Sequence, residues 1–284
     1  MHTNYIERVN QFEEKYRISY SAWGNPDAEK ALLCVHGLNR NSRDFDFIAA
    51  KMVTHGYYVI APDLPGRGNS DYLDDPRGYS LECNIADLSA LLHQLQIVEF
   101  DFLGVSLGGI LGMMLASLPQ NKIRKLVLSD IGAEVEFSGI ARIAGYSMQQ
   151  PDFANYSEAC EYLRSLSLDD GIYQEEIWQH MFVNSFQKNH NGRWELKRDL
   201  RLATSLASTM NGSDNLEFWS FWERVIVPTL VIHGVHSDLL SLATLQKMHH
   251  QNPQTEVLTV KDAGHSPYLY REEHLARIAQ FLNI

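Results

Sequence analysis

A serine, a histidine and an acid, each just after an apolar run, carry the chemistry open to this sequence. Ser106 stands in Gly104-Val105-Ser106-Leu107-Gly108, after the apolar run Phe100–Leu103 and before a Leu-, Met- and Ala-rich stretch that ends ahead of Pro119. The first run reads as a buried strand and the second as a helix. The glycines therefore flank a strand-to-helix turn too tight for side chains, which strains the serine and exposes its hydroxyl above the sheet. A serine hydroxyl is a poor nucleophile until a base takes its proton and a third group orients that base. Among 12 histidines, position singles out His265, which follows the last strand in Gly264-His265-Ser266-Pro267. Asp238, in His233-Gly234-Val235-His236-Ser237-Asp238, follows the strand before that and is the expected acid. Asp130 also follows a strand, in Ser129-Asp130-Ile131-Gly132, and is the alternative source of the carboxylate.

An acyl-transfer site also needs backbone N–H donors for the tetrahedral oxyanion. Leu107, first in the helix after the serine, offers one, with the helix dipole adding partial positive charge. Leu38, in the loop His36-Gly37-Leu38 after the apolar run Ala31–Val35, offers the other, because a glycine at 37 lets the backbone turn inward. His36, Gly37, Asn39 and Arg40 are expected to contact substrate, against the plainer reading of a solvated loop and helix start.

The elements that must hold these residues follow from periodicity. Tyr5–Phe12 and Lys15–Trp23 alternate as a half-exposed antiparallel pair. Ala31–Val35, Tyr57–Ala61, the run before Ser106, Ile123–Leu128, Thr229–Ile232 and Glu256–Val260 read as six more strands, most followed by helical patterns. That rhythm predicts a mostly parallel eight-stranded α/β sheet with right-handed crossovers and helices on both faces. It breaks from about Ala133 to Val225, where helical patterns recur around Ile140–Met148, Ser157–Leu166, Glu175–Phe186 and Leu200–Met210, with a turn at Asn189–Gly192. The expected organisation is a core of residues 1–132 and 226–284 with a helical cap, 133–225, inserted over it. The cluster Phe218, Trp219, Phe221 and Trp222 reads as the hinge, its rings packed in the core rather than on substrate.

The chain has 284 residues, 45% of them hydrophobic, enough for one large core. A net charge of -11, spread without an acidic block, argues against nucleic-acid or anionic-membrane partners. Met1–Tyr16 lacks the apolar stretch of a signal peptide, and no apolar run approaches the length of a membrane span. Three widely spaced cysteines without a Cys-x-x-Cys fit a reducing compartment. A cytoplasmic protein is expected. His233, His236, His249 and His250 lack a third ligand at useful spacing, so no metal is expected, and no cofactor.

These motifs together resemble the α/β-hydrolase fold superfamily, in its capped, esterase-like branch. The resemblance rests on His36-Gly37, on Asp63-Leu64-Pro65-Gly66-Arg67-Gly68-Asn69-Ser70, on Gly104-Val105-Ser106-Leu107-Gly108-Gly109, and on the loops Gly234–Asp238 and Gly264-His265. It implies a Ser-His-Asp hydrolase with a mobile cap that forms the pocket. Serine at the turn departs from the dehalogenase and epoxide hydrolase branches, which place an aspartate there. The loop at His36 lacks the His-Gly-Gly-Gly run of another esterase branch and the Gly-Pro-Gly run of carbon–carbon bond hydrolases. The expected activity is cleavage of a small or medium carboxylic ester, thioester or lactone through an acyl-serine. A perhydrolase, lyase or cofactor-free oxygenase on the same scaffold is the alternative, and a non-catalytic receptor a third. Oligomeric state is not legible from these features.

Overall fold

The computed structural model describes residues 1–204, 212 and 214–283. The chain begins with the hairpin of β1 (His2–Val9) and β2 (Lys15–Trp23), paired antiparallel with Ile6 opposite Ile18. β1 stops short of the expected Phe12 because the Asn10 side chain accepts from the Phe12 and Glu14 N–H groups and closes the turn. β3 (Lys30–Val35), α1 (Asp46–Val53), β4 (Tyr57–Pro62), α2 (Leu81–Gln94), β5 (Phe100–Val105), α3 (Leu107–Ala116) and β6 (Ile123–Ser129) follow as successive strand and helix units. Ser80 caps α2 by accepting from the Cys83 N–H. Asn41 accepts from the Arg43 N–H and caps a single 3-10 turn that leads into α1.

Between β6 and the next sheet strand lie β7 (Glu134–Val135), α4 (Phe137–Ser147), α5 (Tyr156–Leu166), α6 (Glu175–Ser185), β8 (Phe186–Lys188), β9 (Trp194–Leu196), β10 (Leu216–Glu217) and the short α7 (Trp219–Trp222). β7 pairs antiparallel with β10, tying the two ends of this stretch together. The Asn189–Gly192 turn joins β8 to β9 in a hairpin, where sequence reading expected a turn between helices. Gly192 has φ +74 and the Asn189 side chain accepts from the Asn191 and Arg193 N–H groups, so local turn chemistry overrides helix periodicity. The helical pattern at Leu200–Met210 lies mostly outside the described residues. The chain closes with β11 (Thr229–Gly234), α8 (Leu242–Gln251), β12 (Thr255–Val260) and α9 (Glu272–Phe281).

The eight strands assemble in the order β1-β2-β4-β3-β5-β6-β11-β12. β2 meets both β1 and β4 antiparallel, and the strands from β4 to β12 run parallel. Central strands are buried on both faces because their alternate residues feed two cores. Leu33 and Val35 of β3 join α2, α3 and α8 on one face; Leu32 and Cys34 join α1 and α9 on the other. β12, at the sheet edge, buries only its first and last residues. The 134–222 stretch has a third core of its own, built on Leu163, Trp178, Met181 and Phe182, which Tyr268 of the main body joins. Trp222 is 1% exposed and donates from Nε1 to the Met248 carbonyl at 3.2 Å, so this ring packs in the core. Cys34, Cys83 and Cys160 are free thiols. Among the described residues, no helix is long and apolar enough to cross a membrane.

Candidate active site

α3 enters so steeply behind β5 that there is no room for side chains beside the turn. A Cβ on Gly104 would lie 2.3 Å from the Gly108 carbonyl group, and one on Gly108 would lie 2.0 Å from the Val35 oxygen. Ser106 between them has φ 52 and ψ -116, a conformation L-residues rarely adopt. Its N–H donates to the Ser129 carbonyl at 3.0 Å, and its own carbonyl accepts from the Gly109 and Ile110 N–H groups. The backbone is thus fixed while the hydroxyl projects into the cleft.

The loop after β12 brings His265 across the ends of β5 and β6. Its Nε2 lies 3.0 Å from Ser106 Oγ and its Nδ1 lies 3.0 Å from Asp130 Oδ2. Asp130 is wholly buried, and its carboxylate also accepts from the Gly234 N–H at 2.8 Å and the Ser237 hydroxyl at 2.5 Å. With the Gly234 N–H and the Ser237 hydroxyl already donating to it, the Asp130 carboxylate meets His265 as an acceptor, so Nδ1 of His265 carries the proton and Nε2 is left to accept from Ser106.

The acid beside His265 is therefore Asp130, and the expectation of Asp238 in that position is corrected. Both acids follow strands. Asp130 comes directly after β6, the neighbour of β5, whereas Asp238 lies four residues beyond β11 on a turn closed by Ser237 N–H to the Gly234 carbonyl. The turn carries Asp238 away to α4, where Arg142 Nε and Nη2 donate to its two oxygens at 2.6 and 2.7 Å. Those bonds hold the Asp238 carboxyl below the usual carboxylate range. What the 234–238 loop gives the buried acid is two donors, Gly234 N–H and Ser237 Oγ. Asp130 was legible as the alternative; the Ser237 contact was not.

The loop after β3 faces Ser106 from the other side, with Gly37 close enough that a Cβ there would touch the Ser106 Cβ at 3.6 Å. His36 does not reach the pocket, which corrects the expectation that it contacts substrate. It is wholly buried, its Nε2 accepting from the Leu64 N–H at 3.0 Å and its Nδ1 donating to the Gly37 carbonyl at 2.7 Å. The Arg40 N–H also donates to that carbonyl. In a trans peptide the C=O and N–H point opposite ways, so anchoring the Gly37 carbonyl on the protein side turns the Leu38 N–H toward the cleft. The Leu107 N–H opens α3 and has no intrahelical carbonyl to meet.

Burial pushes the His36 imidazole down to about 3. The unfolded ring titrates near 6.5, so between these values the unfolded chain binds more protons and stability falls as pH falls. Between pH 7 and pH 5 the loss from this one group is about 2 kcal/mol. Urea unfolding at the two pH values is expected to show wild type losing that much more than His36→Asn; equal losses would contradict the buried neutral ring.

Ser106 and His265 open into a cavity of about 450 Å³ beneath α4 and α5. Gly37, Leu38, Asn39 and Arg40 line it, as do Asp238, Arg142 and Arg198. Arg40 is held by Asp44 at 2.5 and 2.7 Å. Enclosure pushes the Asp170 carboxyl in the same wall up to about 7. None of the rings Phe218, Trp219, Phe221 and Trp222 is among the lining residues, in keeping with core packing. Arg142, Tyr146, Asp170 and Arg198 escaped sequence reading: Arg142 and Tyr146 sit in a helical stretch where single polar residues read as a solvated face, and Asp170 and Arg198 stand in loops with no motif around them. Among the described residues, no group of three or more His, Cys, Asp or Glu is placed to hold a metal ion.

Residues 32–281 match the alpha/beta hydrolase family. The chain is 32% identical over 272 residues to the 3-hydroxybutyrate-oligomer hydrolase of Cupriavidus necator, covering 94% of this chain and 92% of that one. It is 27% identical to the sn-1-specific diacylglycerol lipase ABHD11 of Mus musculus, over 87% of this chain and 79% of that one. A crystal structure of a protein from Rickettsia typhi superposes with a TM-score of 0.92 at 31% identity, covering 100% of this chain and 99% of that one.

Proposed function

The chain belongs to the alpha/beta hydrolase family, and from that premise we propose that it cleaves short polar carboxylic esters through an acyl-enzyme on Ser106. The observation that carries this reading is the unbroken chain from Ser106 Oγ to His265 to buried Asp130, both links 3.0 Å, opening into an enclosed cavity. Ser106 Oγ attacks the ester carbonyl carbon as His265 Nε2 takes its proton, and the Leu38 and Leu107 N–H groups receive the oxyanion. His265 returns the proton to the leaving alcohol. Water then attacks the acyl-serine with His265 again as base. Asp130 keeps the ring in the required tautomer and balances the imidazolium. The stretch 133–225 acts as the cap that roofs the pocket, and the three free thiols support a cytoplasmic setting.

An oligoester of a short hydroxy acid is the favoured substrate. The Cupriavidus necator relative acts on 3-hydroxybutyrate oligomers, and the cavity walls suit such a chain. Apolar Leu163, Leu196 and Leu269 line the cavity together with the polar Arg142, Asp170 and Asp238. An oligoester carries a polar ester group every few atoms to set against these walls, whereas a long acyl chain would bury Asp170 and the Arg142–Asp238 pair against methylenes. With dimers and trimers of 3-hydroxybutyrate, kcat/KM is expected to exceed that for a palmitoyl ester by at least ~10-fold, a margin of roughly 1.4 kcal/mol. Hydrolysis read by acid release would decide; the reverse order removes the substrate class, and no turnover of any ester removes the hydrolase reading.

A further inference from the structure

The loop that presents the Leu38 N–H is held from two sides by buried arginines, Arg67 and Arg198, 1% and 2% exposed. Arg67 Nε donates to the Leu38 carbonyl at 2.9 Å and its Nη1 to the Pro65 carbonyl at 2.8 Å. Arg198 Nη1 donates to Asn39 Oδ1 at 2.8 Å and to the Ser147 carbonyl at 3.0 Å, and its Nη2 to the Tyr146 and Gln149 carbonyls. Among the described residues, neither guanidinium has a carboxylate as ion-pair partner. A buried cation that spends its donors on neutral oxygens is costly, and is retained where those oxygens must stay in place.

The plainer role of Arg198 is to cap α4, because Tyr146 and Ser147 are its last residues and their carbonyls lie beyond the regular helical ladder, with Tyr146 meeting only the Met148 and Gln149 N–H groups of the closing turn. That role does not account for Asn39. The Asn39 amide is engaged at both ends, its Oδ1 by Arg198 and its Nδ2 donating to Ser147 Oγ at 2.7 Å. It therefore joins the residue after Leu38 to the end of α4. At its other flank α4 holds Asp238, in the loop whose Ser237 supports Asp130, through Arg142. One helix thus touches both loops that serve the triad and the oxyanion.

We propose that Arg198 and Asn39 are positioning residues for the oxyanion hole: through them the C-terminal end of α4 sets the Leu38 N–H, so that the hole is complete only when α4 is seated. This rests on the acyl-serine reading above. The pair touches neither the nucleophile nor the base. Its expected effect falls on stabilisation of the tetrahedral state, and so on kcat rather than KM.

The test is steady-state hydrolysis of a p-nitrophenyl butyrate probe by Asn39→Ala, Arg198→Met, Arg198→Lys and the double variant Asn39→Ala/Arg198→Met. Removing an oxyanion donor outright costs about 10²–10³ in kcat, so misplacing one is expected to cost roughly 30-fold, with KM within about threefold. Affinity for a trifluoromethyl ketone, which mimics the tetrahedral state, is expected to fall in parallel. The double variant is expected to lose no more than Asn39→Ala alone, since both act through one contact. Arg198→Lys, which keeps the charge but not the fork, is expected to fall in between. Lower thermal stability with unchanged kcat would make Arg198 a helix cap and overturn the proposal. A rise in KM alone would make Asn39 a substrate contact, with the same consequence. Should Arg198→Met fail to fold, Asn39→Ala decides by itself. Wild type inactive toward every ester overturns the acyl-serine reading; an active wild type with an unaffected Asn39→Ala overturns this proposal only.

Discussion

Asp130→Asn is expected to lower kcat by about 10⁴-fold, the scale seen when a triad acid becomes an amide. Asp238→Asn is expected to lower it by less than about tenfold, since what is lost is a half-exposed ion pair. The two acids follow adjacent parallel strands, β6 and β11, yet their surroundings differ in kind. Asp130 is fully buried and meets His265 Nδ1 at 3.0 Å; Asp238 is about one-third exposed and is taken up by Arg142. An amide at 130 keeps its oxygen at the Oδ1 position for the Gly234 N–H, which can only donate, and so places its NH2 at the Oδ2 position, facing both Ser237 and His265. The ring must then carry its proton on Nε2, and can no longer accept from Ser106. Rates at pH 7 on one aryl ester settle the assignment. A larger loss from Asp238→Asn than from Asp130→Asn would restore the order suggested by sequence.

The elements around Ser106 were legible because each constraint there is local. Glycines at 104 and 108, an apolar run before and good helix formers after define the turn without any distant residue. His265 was legible by the same logic, as a histidine in a Gly/Pro-flanked loop after the last strand. The acid was misassigned to Asp238, because two strand-following aspartates satisfied the same pattern and Asp130 stood only as the alternative. The choice between them depends on Arg142, 96 residues before Asp238, and on Ser237 reaching back to Asp130. No periodicity reports such long-range pairings. His36 was misplaced for a related reason. Its loop lies at the site, but the ring turns inward to Leu64, and the direction of a side chain in a loop has no sequence signature. In the 134–222 stretch, helix propensity found α4, α5 and α6, while the β8–β9 hairpin answered to turn chemistry at Asn189 and Gly192 instead.

Ser106→Gly is expected to abolish turnover, by roughly 10⁶-fold in kcat, the scale seen when a triad serine is removed, and yet to yield a protein at least as stable as wild type. At φ 52 and ψ -116 the serine backbone sits where glycine is at ease and other residues are strained by about 1–3 kcal/mol. Relief of that strain is partly offset by the greater freedom of glycine in the unfolded chain, about 0.4–1 kcal/mol. Ser106→Ala removes the same hydroxyl but keeps the Cβ, and therefore the strain. The two variants are expected to be equally inactive and unlabelled by a fluorophosphonate, with Ser106→Gly melting higher than Ser106→Ala by a few degrees, about 2–4 °C per kcal/mol in a chain of this size. The comparison separates the hydroxyl from the backbone that presents it. If the alanine variant melts as high as the glycine variant, the strain at the turn is no larger than the offset from glycine's freedom, about 0.4–1 kcal/mol, and the main work of Gly104 and Gly108 is to let α3 pack against β3 and β5. A gap in the expected direction means that stability is given up to hold Oγ above the sheet edge, where His265 can reach it.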